Sequence, residues 1–151
     1  MSAYTATIRW RRQPDSEFTK GRYSRAHEWA FDGGAVVTAS ASPHIVHAPW
    51  SDPAGVDPEE AFVASLSSCH MLFFLDFARR GGWTVESYVD EAEGVMDQTA
   101  DGRMAMTAVT LRPQVLWNGD APTQSAIADL HHRAHKVCFI ANSVTTKVTV
   151  E

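Results

Sequence analysis

The sequence predicts an α+β protein that forms one domain over residues 1–151, with elements in the order β-β-β-α-β-β-α-β. Three observations predict this class. Several short segments alternate apolar and polar residues, which is typical of half-buried strands. Two longer segments instead repeat apolar residues every three or four positions, as amphipathic helices do. A pair of strands separates the two predicted helices, so the order is not the strict alternation of a parallel-sheet protein.

Composition and charge restrict the functional class. The chain is 44% hydrophobic and 21% charged, which is typical of a soluble globular protein. No apolar run reaches the roughly 18 residues of a membrane span, so no membrane association is expected. The N-terminus, MSAYTATIRWRR, lacks an apolar signal core, which predicts a cytoplasmic location. The net charge is -5 and the largest basic cluster is Arg9, Arg11 and Arg12, so no nucleic acid partner is expected.

The N-terminal third is predicted to hold strands joined by long polar segments. Segment 4–10 alternates apolar and polar residues and predicts a half-buried strand. The polar segment 11–29 predicts a loop, and Asp32-Gly33-Gly34 predicts a turn before a strand over 35–40. Residues 42–57 hold three prolines and predict a long irregular loop, which is a place where binding residues are often found.

Segment 57–82, DPEEAFVASLSSCHMLFFLDFARRGG, predicts the longest helix of the chain. Asp57 can accept a hydrogen bond from a first-turn amide, Pro58 suits the first helical position, and Glu60 stands where a capping-box acid belongs. The two glycines that end the segment predict a left-handed stop. Because few charges interrupt the helix, we expect a central helix covered on most sides. The predicted buried face holds Phe62, Leu66, Cys69 and Phe73, widened by Phe74 and Phe77.

The C-terminal half predicts a long hairpin, a second helix and a closing strand. Segments 83–98 and 103–117 alternate on either side of an Asp-Gly turn, which predicts two long antiparallel strands. Segment 123–136 predicts a helix that starts after Pro122, and segment 143–151 predicts the last strand. The predicted apolar face of the second helix holds Ile127, Leu130, Ala134 and Val137.

The chain has two cysteines, too few for a disulfide scaffold. Cys69 lies in the middle of the first helix, where a buried cysteine is most often inert. A reactive Cys69 needs a stabilised thiolate, and the helix dipole does not supply this because it acts mainly in the terminal turns. A nearby cation must therefore do so. Cys138 ends the second helix, so packing of the two helices could bring the two thiols together.

The residues around both cysteines resemble the OsmC/Ohr family. Segment 57–69 resembles the family segment that has a Pro-Glu pair, an aromatic residue, small residues and then the reactive cysteine. Cys138 matches the second cysteine of that family, although Phe139 and Ile140 follow it where many members have a proline and a nearby serine. The order of predicted elements agrees as well, so the resemblance covers essentially the whole chain.

This resemblance implies both a fold and an activity. The fold is OsmC-like, an intertwined homodimer in which antiparallel sheets wrap around central helices. The activity is that of a peroxidase for organic hydroperoxides, in which the Cys69 thiolate attacks the peroxide and becomes a sulfenic acid. Cys138 then resolves this acid as a disulfide. An external dithiol, such as a lipoyl group on a carrier protein, would reduce the disulfide, and no cofactor is expected.

The resemblance also assigns residues that control the thiolate and line the pocket. Arg25, with Arg22 as the alternative, is expected to stabilise the Cys69 thiolate, and Glu59 is expected to hold Arg25 through a bidentate pair. About 15 Å of helix separates Glu59 from Cys69. Either the helix begins later than its caps indicate, or Glu59 reaches the partner subunit's Cys69. The apolar pocket is expected to be walled by Phe62, Phe73, Phe74 and Trp50.

A metal site is one alternative use of the sequence. Two pairs of histidines are close in the chain, one with helical spacing and one framing a loop, but such pairs often arise by chance. No acid or cysteine completes a recognisable set of ligands, so no metal is expected. The pairs are His131 with His135 and His44 with His47.

Two other functions stay open from the sequence. A Cys-His hydrolase would need His27 or His135 to be brought near Cys69, because the adjacent His70 points about 100° away on the helix. A non-enzymatic protein could instead bind a small apolar ligand in the same pocket. That function predicts that a Cys69→Ser variant keeps its affinity for the ligand and that the protein consumes no peroxide.

Overall fold

A computed structural model describes all 151 residues, Met1–Glu151, and the chain divides into two compact units, Met1–Ala61 and Phe62–Glu151. The first unit contains an antiparallel sheet of three strands in the order β1-β2-β3. These strands are β1 (Ala6–Arg9), β2 (His27–Phe31) and β3 (Val36–Ala39).

Two predictions about this sheet are wrong. Strand β2 begins at His27, inside the segment 11–29 that was expected to be a loop, because its pairing with both neighbours outweighs its polar composition. Strand β1 has all four residues exposed and is not half-buried. Strand β1 lies at the edge of the sheet and pairs only with β2. Neither its apolar nor its polar side chains are covered within the chain.

Helix α1 (Pro58–Arg80) begins and ends as its sequence predicts. A reciprocal capping box closes its start: the Glu60 amide donates to Asp57 Oδ1 at 2.8 Å, and the Asp57 amide donates to Glu60 Oε2 at 3.1 Å. Gly82 ends the helix with a φ of +83°, a left-handed conformation that suits glycine.

The buried face of α1 differs from the predicted one. Leu66, His70, Phe74 and Ala78 are buried at a spacing of four residues, whereas Cys69 and Phe73 are only half-buried. One stripe of the helix, Ala64, Ser68 and Leu72, is open within this chain, and Leu72 is 61% exposed. By length and hydropathy alone α1 could cross a membrane, contrary to the sequence expectation, but core helices of soluble proteins meet the same criteria.

The hairpin after α1 is confirmed, but each of its two arms is divided into two strands. The strands form one antiparallel pair, β4-β7, and a second sheet in the order β5-β6-β8 in which β8 runs parallel to β6. The break falls at Asp90, whose carboxylate accepts hydrogen bonds from the Ser67 hydroxyl and the Arg112 amide. The strands are β4 (Thr84–Asp90), β5 (Glu93–Gln98), β6 (Met104–Leu111), β7 (Pro113–Asn118) and β8 (Lys147–Val150).

Helix α2 (Gln124–Val137) packs against α1. Thr123 caps it, since the Thr123 hydroxyl accepts a hydrogen bond from the Ala126 amide at 3.2 Å. Leu130 and Ala134 are buried as predicted, but Val137 is 37% exposed because the helix ends there. Two clusters form the core of the second unit. One holds Phe74, Ala78, Leu130 and Ala134, and the other holds Leu66, Val109 and Leu111.

Candidate active site

Cys69 lies at the middle of α1 and is half-buried. The hydroxyls near it are already engaged: Ser65 Oγ donates to the Phe62 carbonyl at 2.7 Å, and Ser67 Oγ donates to Asp90. Ser65 thus bonds to the backbone of its own helix, and Ser67 bonds to the carboxylate of the last residue of β4, so neither hydroxyl is available to the thiol. The Cys69 thiol is not part of a disulfide and is partly open to solvent, which is the condition that oxidation of a cysteine needs.

Cys138 caps the C-terminus of α2 and is 1% exposed. A tight turn follows it, in which the Asn142 amide donates to the Cys138 carbonyl at 2.9 Å and the Ser143 amide donates to the Ile140 carbonyl at 3.0 Å. The Ala141 amide points at the sulfur, with a distance of 3.5 Å between N and Sγ. The turn therefore fixes the position of the second thiol.

The two thiols are neighbours with unequal surroundings. Burial and a hydrogen bond with the Cys69 side chain together raise the pKa of Cys138 to about 11, although the hydrogen bond from the Ala141 amide acts in the opposite direction. Cys138 is therefore a neutral thiol near pH 7. The structure thus brings together the two cysteines that the sequence singled out, one half-exposed and one buried.

Arg25 lies in the first unit and is held by its own loop. Its Nη1 donates to the carbonyls of Gly21 at 2.9 Å and Tyr23 at 2.6 Å, and its guanidinium carbon lies 3.7 Å from the centre of the Tyr23 ring. Arg22, the alternative, forms an exposed ion pair with Glu17 at 2.7 Å. Of the two arginines, Arg25 is therefore the more firmly ordered.

The predicted bidentate pair between Arg25 and Glu59 is not formed within the chain. The Arg25 guanidinium binds backbone carbonyls instead, because the tight turn before it brings those carbonyls close. Helix α1 begins at Pro58, so the alternative that it starts after Glu59 is wrong. Glu59 therefore occupies the first turn of the helix that carries Cys69.

The four aromatic residues assigned to a pocket have different surroundings. Phe74 is fully buried between Tyr88, Trp117 and His131, so it belongs to the core and does not line a pocket. Phe62 packs against the Leu66 cluster, and Trp50, in the first unit, is 36% exposed. Phe73 meets Phe139 edge to face, with ring centres 5.0 Å apart. Phe139 was not among the aromatic residues expected near the thiols from the sequence, although it directly follows Cys138.

Histidines form a second polar feature that the sequence did not predict. His70 Nε2 and His131 Nδ1 are 2.9 Å apart and link α1 to α2. Burial, together with the nearby His131 and His135, lowers the pKa of His70 to about 4. Both ring nitrogens of His27 are engaged, one by the Trp29 indole and one by the Arg25 carbonyl, so His27 has no free nitrogen to act as a base.

No group of three or more histidine, cysteine or acidic side chains is arranged to hold a metal ion. A groove of about 520 Å³ lies along α2 and β8, and neither cysteine lines it. His131 and His135 line this groove together with apolar residues of both elements. The pair of thiols, Cys69 and Cys138, is therefore the one reactive feature that was expected from the sequence and is found together in the structure.

These features define an α+β protein with a thiol pair between two packed helices. Residues 51–151 match the family described as OsmC-like protein, and the chain belongs to this family. A solved OsmC-like protein of unknown function from Vibrio cholerae is 51% identical, covers 100% of this chain and 99% of its own, and superposes with a TM-score of 0.98. Among curated proteins, no match is found.

More distant structures share the fold. The organic hydroperoxide resistance protein OhrB of Bacillus subtilis is 19% identical, over 99% of this chain and 97% of its own, with a TM-score of 0.70. An organic hydroperoxide resistance protein OsmC from Legionella pneumophila is 16% identical, over 100% and 99%, with a TM-score of 0.67. The predicted α+β, OsmC-like fold is thereby confirmed.

Proposed function

We propose that this protein is a thiol peroxidase that reduces organic hydroperoxides to alcohols. The pair of thiols carries the proposal: a half-exposed cysteine open to oxidant stands beside a buried one that can resolve it. The names of the Bacillus and Legionella proteins, both organic hydroperoxide resistance proteins of the same fold, support the same chemistry. We expect a soluble, cytoplasmic enzyme.

The reaction has two steps within the chain. The Cys69 thiolate attacks the distal oxygen of the hydroperoxide, the O–O bond breaks, and the alkoxide leaves as the alcohol after it takes a proton. Cys69 is then a sulfenic acid. The Cys138 sulfur attacks the Cys69 sulfur, the S–O bond breaks, and the hydroxyl leaves as water with the proton of the Cys138 thiol. An external dithiol, for which a lipoyl group is the candidate, then reduces the disulfide.

Arg25 is the proposed cation that stabilises the thiolate and polarises the peroxide. To do so it must exchange at least one of its backbone carbonyl partners for the substrate or the thiolate, which a charge-assisted bond can favour. Glu59 is proposed to orient the guanidinium during this step. The proposed pocket is apolar, with Phe62, Phe73 and Trp50 as candidate walls, and this favours organic peroxides over hydrogen peroxide.

The proposed assembly is a homodimer in which Glu59 of one chain serves the thiol of the other. Its support is the exposed stripe of α1 formed by Ala64, Ser68 and Leu72, since an apolar helix of this length is normally covered. Mixing Glu59→Ala with Cys69→Ser protein tests it. If sites form across the dimer, mixed dimers regain part of the activity, whereas a mixture as inactive as its two components would oppose it.

The activity is tested by steady-state consumption of cumene hydroperoxide with dihydrolipoamide as the reductant. We expect turnover by the wild type, none by Cys69→Ser, and a single turnover by Cys138→Ser. A wild type that consumes no peroxide while Cys69→Ser still binds an apolar probe such as a fatty acid would point to a ligand-binding protein instead. Burst release from an ester substrate would point to a hydrolase.

A further inference from the structure

Two imidazoles, that of His70 buried and that of His131 partly buried, join the helices that carry the two thiols. His70 on α1 is 1% exposed, and its Nε2 lies 2.9 Å from Nδ1 of His131 on α2. The two rings are 6° from parallel with centres 5.2 Å apart, which fits an edge-to-edge hydrogen bond in a common plane, and the His131 ring stacks on Phe74 with centres 4.3 Å apart. In this His70–His131 bridge one ring donates an N–H and the other accepts it, so the tautomer of each ring determines that of the other.

Neither histidine of the bridge forms an ion pair with an acidic side chain. Asp90 is the nearest acid that acts on either ring, but its carboxylate already accepts from the Ser67 hydroxyl and the Arg112 amide. The other titratable groups that act on His70 are His131 and His135 of α2, while Tyr88 of β4 contacts the nearby Phe74. His70 Nδ1, His135 Nδ1 and the Tyr88 hydroxyl are all buried without a partner. Asp90 favours a positive charge on either ring, but burial opposes that charge more strongly, so both imidazoles are favoured in the neutral form.

Stability alone does not account for such a bridge. Two apolar side chains of similar shape would fill the same space at little cost, because a buried hydrogen bond gives only about 1 kcal/mol net. A hydrogen bond differs from apolar packing in being directional, since it weakens steeply when its geometry changes. The bridge therefore restricts how the two helices can slide or turn against each other, which apolar contacts restrict less.

The location of the bridge makes this restriction relevant to the thiols. Cys69 is adjacent to His70 on α1, while seven residues, about 10 Å at 1.5 Å per residue, separate His131 from Cys138. The helices are thus tied at two places, where the thiols meet and about two turns earlier along α2. With the first contact alone, α2 could pivot about Cys138. The second contact fixes the angle at which the helices cross.

We propose that the His70–His131 bridge is a positioning element that keeps the Cys138 sulfur within reach of the Cys69 sulfenic acid. The inference rests on the proposed peroxidase function. Neither imidazole touches the reacting atoms, so the bridge acts on the second step, disulfide formation, and leaves the attack on peroxide unchanged. Loss of the bridge lengthens the life of the sulfenic acid and so exposes Cys69 to further oxidation.

The experiment separates the two steps in matched variants. His131→Leu removes the hydrogen-bonding group and keeps the bulk, His131→Asn retains a polar group near the position of Nδ1, and His132→Leu changes the exposed neighbour on the same helix. Sulfenic acid formation is followed by dimedone trapping after one equivalent of cumene hydroperoxide, and disulfide formation by loss of both thiols. Far-UV circular dichroism and the thermal midpoint establish that each variant is folded.

We expect His131→Leu to form the disulfide at least about tenfold more slowly while its sulfenic acid forms at the wild-type rate. His131→Asn should recover most of the loss, and His132→Leu should match the wild type. An unchanged rate of disulfide formation in folded His131→Leu, or an equal slowing of both steps, would contradict the proposal. So would a His131→Asn variant as slow as His131→Leu.

Two further measurements do not depend on peroxide activity. Closure of the disulfide by diamide, a chemical oxidant of thiols, should also be slower in His131→Leu, so the positioning role is testable even if the wild type consumes no peroxide. Imidazole nitrogen NMR on the wild type should show His70 Nε2 and His131 Nδ1 as one protonated and one unprotonated nitrogen. If both nitrogens were protonated or both were unprotonated, the hydrogen bond between the two rings would not exist, and this result would contradict the proposal without any variant.

Discussion

The thiol pair and the arginine segment of this protein are held in place by different means. Cys69 and Cys138 lie on two helices that pack through Phe74, Ala78, Leu130 and Ala134, which are all fully buried. A buried helix interface is close-packed, so it permits little movement. The distance between the two thiols is therefore set by the core of the second unit and by the His70–His131 bridge.

The arginine segment, residues 17–25, has no such support. Arg25 is held by backbone carbonyls and the Tyr23 ring, and Tyr23 belongs to an aromatic cluster with Trp10 and Phe18, which are both exposed. The ion pairs of Glu17 are also at the surface and contribute little to stability. The thiols are therefore held by a packed core, whereas Arg25 is held only by backbone hydrogen bonds and one aromatic ring of its own loop.

The strongest test of this contrast removes the packing beneath the thiols. Phe74→Ala should lower the free energy of unfolding by about 3–5 kcal/mol, because it deletes a fully buried ring from the helix interface. Urea denaturation measures it. Leu116→Ala, which truncates an exposed residue on β7, should change the value by less than about 0.5 kcal/mol. If both variants lowered the free energy of unfolding equally, packing between α1 and α2 would not be what holds the thiols in place.

The arginine segment is tested by its effect on rate and not on stability. Arg25→Met should reduce kcat/KM for cumene hydroperoxide about 100-fold, the usual loss when one group that stabilises developing charge is removed. Its free energy of unfolding should hardly change. Arg22→Met is the matched control and should stay within about twofold of wild type, since Arg22 pairs with Glu17 at the surface. Reversed effects would make Arg22 the catalytic arginine.

The thiol region should make stability depend on pH at both extremes. Burial lowers the pKa of His70 to about 4, so the contribution of neutral His70 is complete above about pH 6.5 and is lost as the pH falls towards 4. Burial raises the pKa of Cys138 to about 11 from an ordinary value of 9.0, so its contribution is present below pH 9 and is lost as the pH rises through 11.

Thermal midpoints between pH 4 and pH 11 check both limbs of this profile. His70→Leu should flatten the acidic limb and Cys138→Ala the alkaline limb, each relative to its own value at pH 7. His44→Leu is the control, since His44 is exposed and lies in a loop of the first unit. A wild-type profile that is flat across both windows would contradict the burial of the two groups.

The smallest expected effect concerns the start of α1. Asp57→Ala removes the hydrogen bond to the Glu60 amide and should lower the free energy of unfolding by about 1 kcal/mol. Asp52→Ala, which changes a loop carboxylate bonded only to the nearby Ala54 amide, serves as the control. Denaturation midpoints of the two variants would be compared. If Asp52→Ala costs as much as Asp57→Ala, the capping box is not what fixes the helix start.

Local signals in the sequence were sufficient for much of this structure. The helix cap at Asp57, the glycine stop after α1 and the turn of the hairpin depend on residues close together in the chain, and all were predicted. The cap of α2 at Thr123 was not, since Thr123 was expected to be the first residue of that helix. The two cysteines were also identified, because a family segment surrounds Cys69 and Cys138 ends a helix.

Long-range contacts decided what the sequence did not predict. The buried face of α1 is rotated towards His70 and Phe74 because α2 and β4 lie there, and no periodicity in α1 alone contains that information. The strand break at Asp90 depends on Ser67 and Arg112, which are 22 or more residues away. The His70–His131 bridge joins residues 61 positions apart.

Intact mass with thiol counting after one equivalent of cumene hydroperoxide tests the central claim most directly. The wild type should lose both thiols and two mass units, which corresponds to a Cys69–Cys138 disulfide, and Cys138→Ser should instead yield a dimedone adduct on Cys69. Two free thiols and an unchanged mass in the wild type would contradict a peroxide-reactive pair, and an adduct on Cys138 would contradict the assigned roles.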